Sequence, residues 1–143
     1  MSDQVLPEWR DGTVAILSTV SAGTPHAIPV STAIRLGPRR AIFALAHTRG
    51  SLARLRADAR VALTLVGAGD VAFTAHGRAA VVSESIDASG NVAAVALEVE
   101  RIDDHGRAQF EILDGVRWRW RDGAARRRDA QVRAALHALR APG

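Results

Sequence analysis

The feature that most constrains this chain is a two-residue alternation of apolar and polar side chains, broken again and again by short turns. A β-strand sends successive side chains to opposite faces, so this rhythm describes sheet with one face buried. TVAILSTV (13–20) carries it first. After the turn Ser21-Ala22-Gly23, PHAIPVSTAIRL (25–36) is predicted to return as one strand. AIFALA (41–46) follows Gly37-Pro38, and RVALTLV (60–66) comes next. Gly67-Ala68-Gly69-Asp70 turns the chain into VAFTAHGRAAVV (71–82), and VAAVALEVER (92–101) makes a sixth strand. RAQFEIL (107–113) and VRWRW (116–120) are expected to pair as a hairpin around Asp114-Gly115, with Val116, Trp118 and Trp120 on one face and Arg117 and Arg119 on the other.

Helices are few. Residues 50–57 form a short one, with Leu52 and Leu55 turned to the core. A basic C-terminal helix over about 123–140 places Val132, Ala135, Leu136 and Leu139 at helical spacing. A third, short helix is expected around 3–10. Many strands joined by tight turns predict a mainly β fold, a closed barrel or a sandwich. The 143 residues suffice for one core, so the whole of 1–143 is read as a single domain.

Composition excludes several chemistries. There is no cysteine, hence no disulfide, thiolate metal site or thiol nucleophile. There is no lysine either, and all 19 basic residues are arginine, which removes Schiff-base chemistry including lysine-bound pyridoxal phosphate. The five histidines show no metal-ligand spacing on a helix face, so no metal is expected. No apolar run approaches the roughly 20 residues of a membrane-spanning helix. The polar opening MSDQVLPEWRDG shows no secretory pattern, and a cytoplasmic location is expected.

The candidate site lies where AIFALA gives way to HTRGSLARLR. Thr48 is a good N-cap, and a helix start leaves backbone N–H groups unpaired under a partial positive charge. Phosphate suits such a place. Thr48 and Ser51 add hydroxyls there, while Arg49 and Arg54 add planar cationic forks. Taken alone, the segment reads first as a capped surface helix with solvated arginines, and the binding reading comes second. A ring-bearing phosphate ligand also needs a wall. Pro29 breaks the ladder of its strand, which lets backbone around Val30, Ser31 and Thr32 face a flat heterocycle.

AILSTVSAGTPHAIPVST, AIFALAHTRGSLARLRADARVAL and FTAHGRAAVV, spanning residues 14–82, together resemble the FMN-binding split-barrel family, the pyridoxamine 5′-phosphate oxidase-like proteins and their deazaflavin-using relatives. The resemblance implies a six-stranded antiparallel split barrel with short helices. It implies a homodimer with FMN, or alternatively a deazaflavin coenzyme, at the interface. Val30, Ser31 and Thr32 would meet the ring. Ala46, His47, Thr48, Arg49, Ser51 and Arg54 would meet the ring edge and the phosphate. Relatives commonly carry a lysine in the basic segment; Ser51 falls near that place, and Arg54 falls where asparagine is frequent. Phosphate binding would then rest on arginines and hydroxyls. The C-terminal Arg-and-His substrate motif of the true oxidases is missing, as are Tyr and Lys, so pyridoxamine phosphate oxidase activity itself is not expected.

Other features have plainer readings beside functional ones. His47 is either a ligand-facing donor or a polar strand end. His76 and Arg78 share an outward face, as do Glu98 and Glu100. Trp118 and Trp120 are expected in the core or the dimer interface, with a lid over the ligand as the second reading. Eight arginines between Arg117 and Arg140 stand against Asp122 and Asp129. The segment reads as a solvated helix face, and nucleic acid is disfavoured because the helix lacks stacking aromatics. Two functions follow: an FMN-dependent oxidoreductase acting on a small molecule, with no catalytic side chain assigned, or a non-catalytic flavin- or ligand-binding module that meets an anionic partner through its Arg-rich helix.

Overall fold

The computed structural model describes residues 4–87 and 90–139. Its frame is a seven-stranded, wholly antiparallel sheet in the order β2-β1-β5-β6-β7-β4-β3. The strands are β1 (Ala15–Ser21), β2 (Thr24–Val30), β3 (Ile34–Gly37), β4 (Arg40–Ala46), β5 (Arg60–Gly67), β6 (Val71–Ser83) and β7 (Val92–Asp104). Two helices accompany them, α1 (Gly50–Ala57) and α2 (Gly123–Ala138).

The sheet is not closed, and it has seven strands rather than six. The expected strand 25–36 is in fact two, β2 and β3, which sit at opposite edges of the sheet. Ser31 to Ala33 cross between them. The crossing is held by side chains where a ladder would otherwise run. The Ala44 N–H donates to Thr32 Oγ1 at 3.0 Å, and Trp9 Nε1 donates to the Ala33 carbonyl at 2.8 Å.

Strand alternation delivers the core. Leu17, Phe43, Leu63, Leu65, Val95 and Leu97 are fully buried on the inner face, with Leu52 and Leu55 of α1 packed among them. Gly77 marks a register shift between β6 and β7. A Cβ there would lie 1.9 Å from the Glu98 carbonyl oxygen, so only glycine lets the two long strands approach this closely.

The segment before β1 is not helical in its described part. It runs extended, with the Leu6 N–H donating to the Pro38 carbonyl and the Leu6 side chain buried in the main core. Residues 1–3 of the expected helix lie outside the described residues.

A second, smaller apolar cluster lies where α2 packs on the sheet: Leu136 of α2 against Ile34, Ile42 and Ala94. β4 and β7 are therefore covered on both faces, which explains their near-continuous apolar runs AIFALA and VAAVAL. Asp122 caps α2 by accepting from the Ala125 N–H at 2.7 Å.

The predicted hairpin over 107–120 does not form. After a turn at 108–109 the segment runs as a strap past the sheet ends without strand or helix, and two of its donors reach distant partners. The Ile112 N–H donates to Asp70 Oδ1 at 2.6 Å, and Trp118 Nε1 donates to the Gly12 carbonyl at 2.8 Å. Alternation in VRWRW is genuine, but Val116 stays 66% exposed because no strand pairs beside it.

Candidate functional site

The end of β2, the end of β4 and the face of α2 enclose a cleft of about 440 Å³. Val30, Ser31 and Thr32 form one wall, and Ala44 to Ala46 form the floor. Arg49 stands at one side, just before α1. Trp120 and the α2 residues Ala125, Arg128, Asp129 and Val132 supply the facing wall, and Asp87 and Val92 complete it. The lining is mainly apolar, broken by a few polar groups, the general character of a small-molecule site.

The sequence-predicted residues divide. The structure brings Val30, Ser31, Thr32, Ala46 and Arg49 to one cleft. His47, Thr48, Ser51 and Arg54 do not line it. The His47 Nε2 lies 2.6 Å from the Glu84 carbonyl oxygen. Thr48 is not the cap: Arg49 holds the N-cap position, and no side chain caps the helix. Ser51 is buried. Arg54 turns inward, its Nε donating to Thr19 Oγ1 at 3.1 Å and its Nη2 to Ser51 Oγ at 3.3 Å. The inward turn has a cause. Thr19 is a buried hydroxyl on the core side of β1, and burial without a partner would cost it about 1–3 kcal/mol.

Other arginines near α1 are also committed. Arg56 pairs with Glu84 and Arg60 with Asp58. Hydrogen bonds from the Arg60 side chain and backbone hold the Asp58 carboxyl at about 2, well below the ordinary carboxylate value. Arg49 and Arg128 have no carboxylate partner among the described residues.

The residues that sequence reasoning missed come from α2 and its approach. Arg133 bridges the helix to the wall of the cleft: its Nε donates to Asp129 Oδ2 at 2.7 Å and its Nη2 to the Ser31 carbonyl at 2.8 Å. Both side chains of this ion pair are only 14% exposed. The signal that could have found the α2 wall was the doubly apolar character of β4 and β7, which demands a cover on the second face. Trp118 and Trp120 do not enter the core of the chain; they pack edge-to-face at 5.3 Å and stay partly exposed, with Trp120 at the cleft.

The outward residues behave as surface groups. His76 meets Asp103 at 2.9 Å and holds that carboxyl below its usual range, and Glu98 meets Arg40 at 2.6 Å. Among the described residues no group of three His, Asp or Glu converges as a metal site, and no helix is long and apolar enough to cross a membrane.

Residues 1–112 match the family described as pyridoxamine 5′-phosphate oxidase. The chain belongs to the pyridoxamine 5′-phosphate oxidase family. Solved structures agree on the fold. HupZ from Group A Streptococcus is 17% identical, with 72% of this chain and 90% of that one covered at a TM-score of 0.55. An F420 reductase is 10% identical over 66% of this chain and 91% of its own, at 0.57. A FAD-binding protein from Mesorhizobium loti is 12% identical over 63% and 83%, at 0.52. No curated protein matches the sequence. The family match ends at residue 112, so Trp120 and the α2 wall of the cleft lie beyond it.

Proposed function

We propose that this member of the pyridoxamine 5′-phosphate oxidase family binds FMN in the cleft and works as a flavin-dependent oxidoreductase on a small apolar substrate. A deazaflavin coenzyme is the alternative occupant. The observation that carries the reading is the lining itself: a mainly apolar surface that includes Arg49 and Arg128, which have no carboxylate partner among the described residues. The residues present fit the group. Val30, Ser31 and Thr32 would lie along the ring, Ala46 at its edge, and Arg49 at the phosphate. Arg54, Ser51, Thr48 and His47 would act around that shell, with Arg54 fixing the α1 register through Thr19.

A bound flavin supplies hydride transfer, which the side chains of this chain cannot. The chain's own part is to bind, orient and exclude water. Val132 and Trp120 close the apolar side, and Arg133 holds the Ser31 carbonyl in place. No thiol or amine nucleophile exists in the sequence, and no catalytic side chain is assigned. Lacking the Arg-and-His substrate motif, the chain is not proposed to oxidise pyridoxamine phosphate. A homodimer with the cofactor at the interface completes the reading; exposed Phe110, Leu113 and Val116 on the strap offer apolar surface to a second copy.

The visible spectrum of the purified protein, before and after added FMN and deazaflavin, tests this. Flavin bands near one per chain that bleach on adding a nicotinamide nucleotide are expected. A colourless protein that takes up neither cofactor refutes the proposal and leaves a non-catalytic module of the same fold.

A further inference from the structure

We infer that Arg128, on α2, is a ligand-binding residue that acts with Arg49 as a two-guanidinium clasp for the phosphate of the cofactor. The inference rests on the flavin reading above and adds to it a residue outside the family-matched part of the chain.

Two arginines from unrelated elements line one cleft, Arg49 before α1 and Arg128 on the second turn of α2. Like charges sharing a cleft repel, and the repulsion is relieved when an anion sits between them. Among the described residues no carboxylate forms an ion pair with either arginine. Asp129 is taken by Arg133 at 2.7 Å. Asp87 Oδ1 accepts from the Asn91 and Val92 amides at 3.0 and 3.2 Å. The arginines that could have substituted are themselves engaged: Arg54 on Thr19 and Ser51, Arg56 on Glu84, Arg133 on Asp129 and Ser31.

Guanidinium forks match phosphate oxygens in pairs, and such charge-assisted bonds are about twice as strong as neutral ones. With Arg54 turned to the interior and no lysine in the sequence, Arg49 is the cation that the α1 side brings to the cleft among the described residues. Arg128 restores the second. The neighbouring Arg127 gives an internal control, because it carries the same charge on the same helix and does not line the cleft.

The test titrates the purified protein with FMN and with riboflavin in phosphate-free buffer, following flavin fluorescence. The two probes share the ring and differ in the phosphate. The wild type is expected to hold FMN more tightly than riboflavin. Arg128→Ala should weaken FMN about tenfold and leave riboflavin unchanged, with Arg128→Lys retaining part of the preference. Arg127→Ala should change neither. FMN affinity unmoved in Arg128→Ala, or lowered equally by Arg127→Ala, overturns the inference while the flavin reading stands. Equal weakening of both flavins by Arg128→Ala also overturns it, since that marks lost packing. A wild type that binds neither probe removes the FMN reading, and the clasp with it.

Discussion

Arg133 ties α2 to the wall of the cleft, and breaking that tie has a cost that can be worked from the structure. Arg133→Met keeps the length and apolar stem of the side chain and removes its charge. A charged donor on a carbonyl is worth about 1.5–3 kcal/mol, and that is the bond to Ser31. The Asp129 carboxylate is left only 14% exposed and without its partner, and breaking buried pairs in this way costs about 3–5 kcal/mol. One gain offsets these losses. The Arg133 Nη1 is buried with no acceptor, and removing it recovers about 1–3 kcal/mol. The helix also limits the loss, since it can lift off and let Asp129 reach water. A net loss of about 3 kcal/mol in docking α2 is expected, which is roughly a hundredfold in its opening equilibrium.

Trypsin cleavage after Arg126, Arg127 or Arg128 reads that opening, because an undocked helix is a substrate and a docked one is protected. The single variant should be cut far faster than the wild type. Adding Asp129→Leu should bring the rate most of the way back, because replacing both members of a buried pair by apolar residues is close to neutral. A single variant cut no faster than the wild type would refute the reasoning, and so would a double variant cut as fast as the single.

Gly77→Ala should prevent folding or lower stability by more than about 3 kcal/mol, because its Cβ meets the Glu98 backbone at 1.9 Å; Gly23→Ala, with φ of +78° and open space around it, should cost only about 1 kcal/mol in a thermal melt. Similar losses at the two positions would show that β6 and β7 can separate at the bulge. Asp58 is held at about 2 when folded against an ordinary 3.8, so its contribution is full above about pH 4 and fades as the pH falls towards 2. The gap in melting temperature between wild type and Asp58→Asn should therefore be present at neutral pH and vanish near pH 2, and a gap that persists in acid would contradict this.

Sequence pattern carried furthest where one local rule decided the outcome. Alternation placed β1, β5, β6 and β7, and the Leu52–Leu55 spacing placed the buried face of α1. It carried less far where distant groups competed for the same backbone. Residues 25–36 read as one strand, yet Trp9 and Ala44 take the hydrogen bonds at the crossing and divide it. The 107–120 segment reads as a hairpin, but Asp70 and Gly12 claim its donors first. Arg54 read as a phosphate-binding residue because its partner, Thr19, is far away in sequence. Helical spacing showed that α2 has an apolar stripe. Where the stripe docks depended on which strands lacked a cover, and a one-dimensional pattern does not say this directly.

One consequence follows from the place where the family match stops. The sheet, α1 and the crossing at Ser31 to Ala33 all fall within residues 1–112, whereas the facing side of the cleft arrives on a tether pinned at a few points, Asp70 and Gly12 among them. Residues from both sides of that boundary meet at the cleft, Val30 to Thr32 and Arg49 from one stretch, Trp120 and α2 from the other. Exchange of the last thirty or so residues would replace the wall that Trp120 and Val132 supply, and it would also lift Leu136 from its seat on Ile34, Ile42 and Ala94, so any new tail must cover the same strands before it can reshape the cleft.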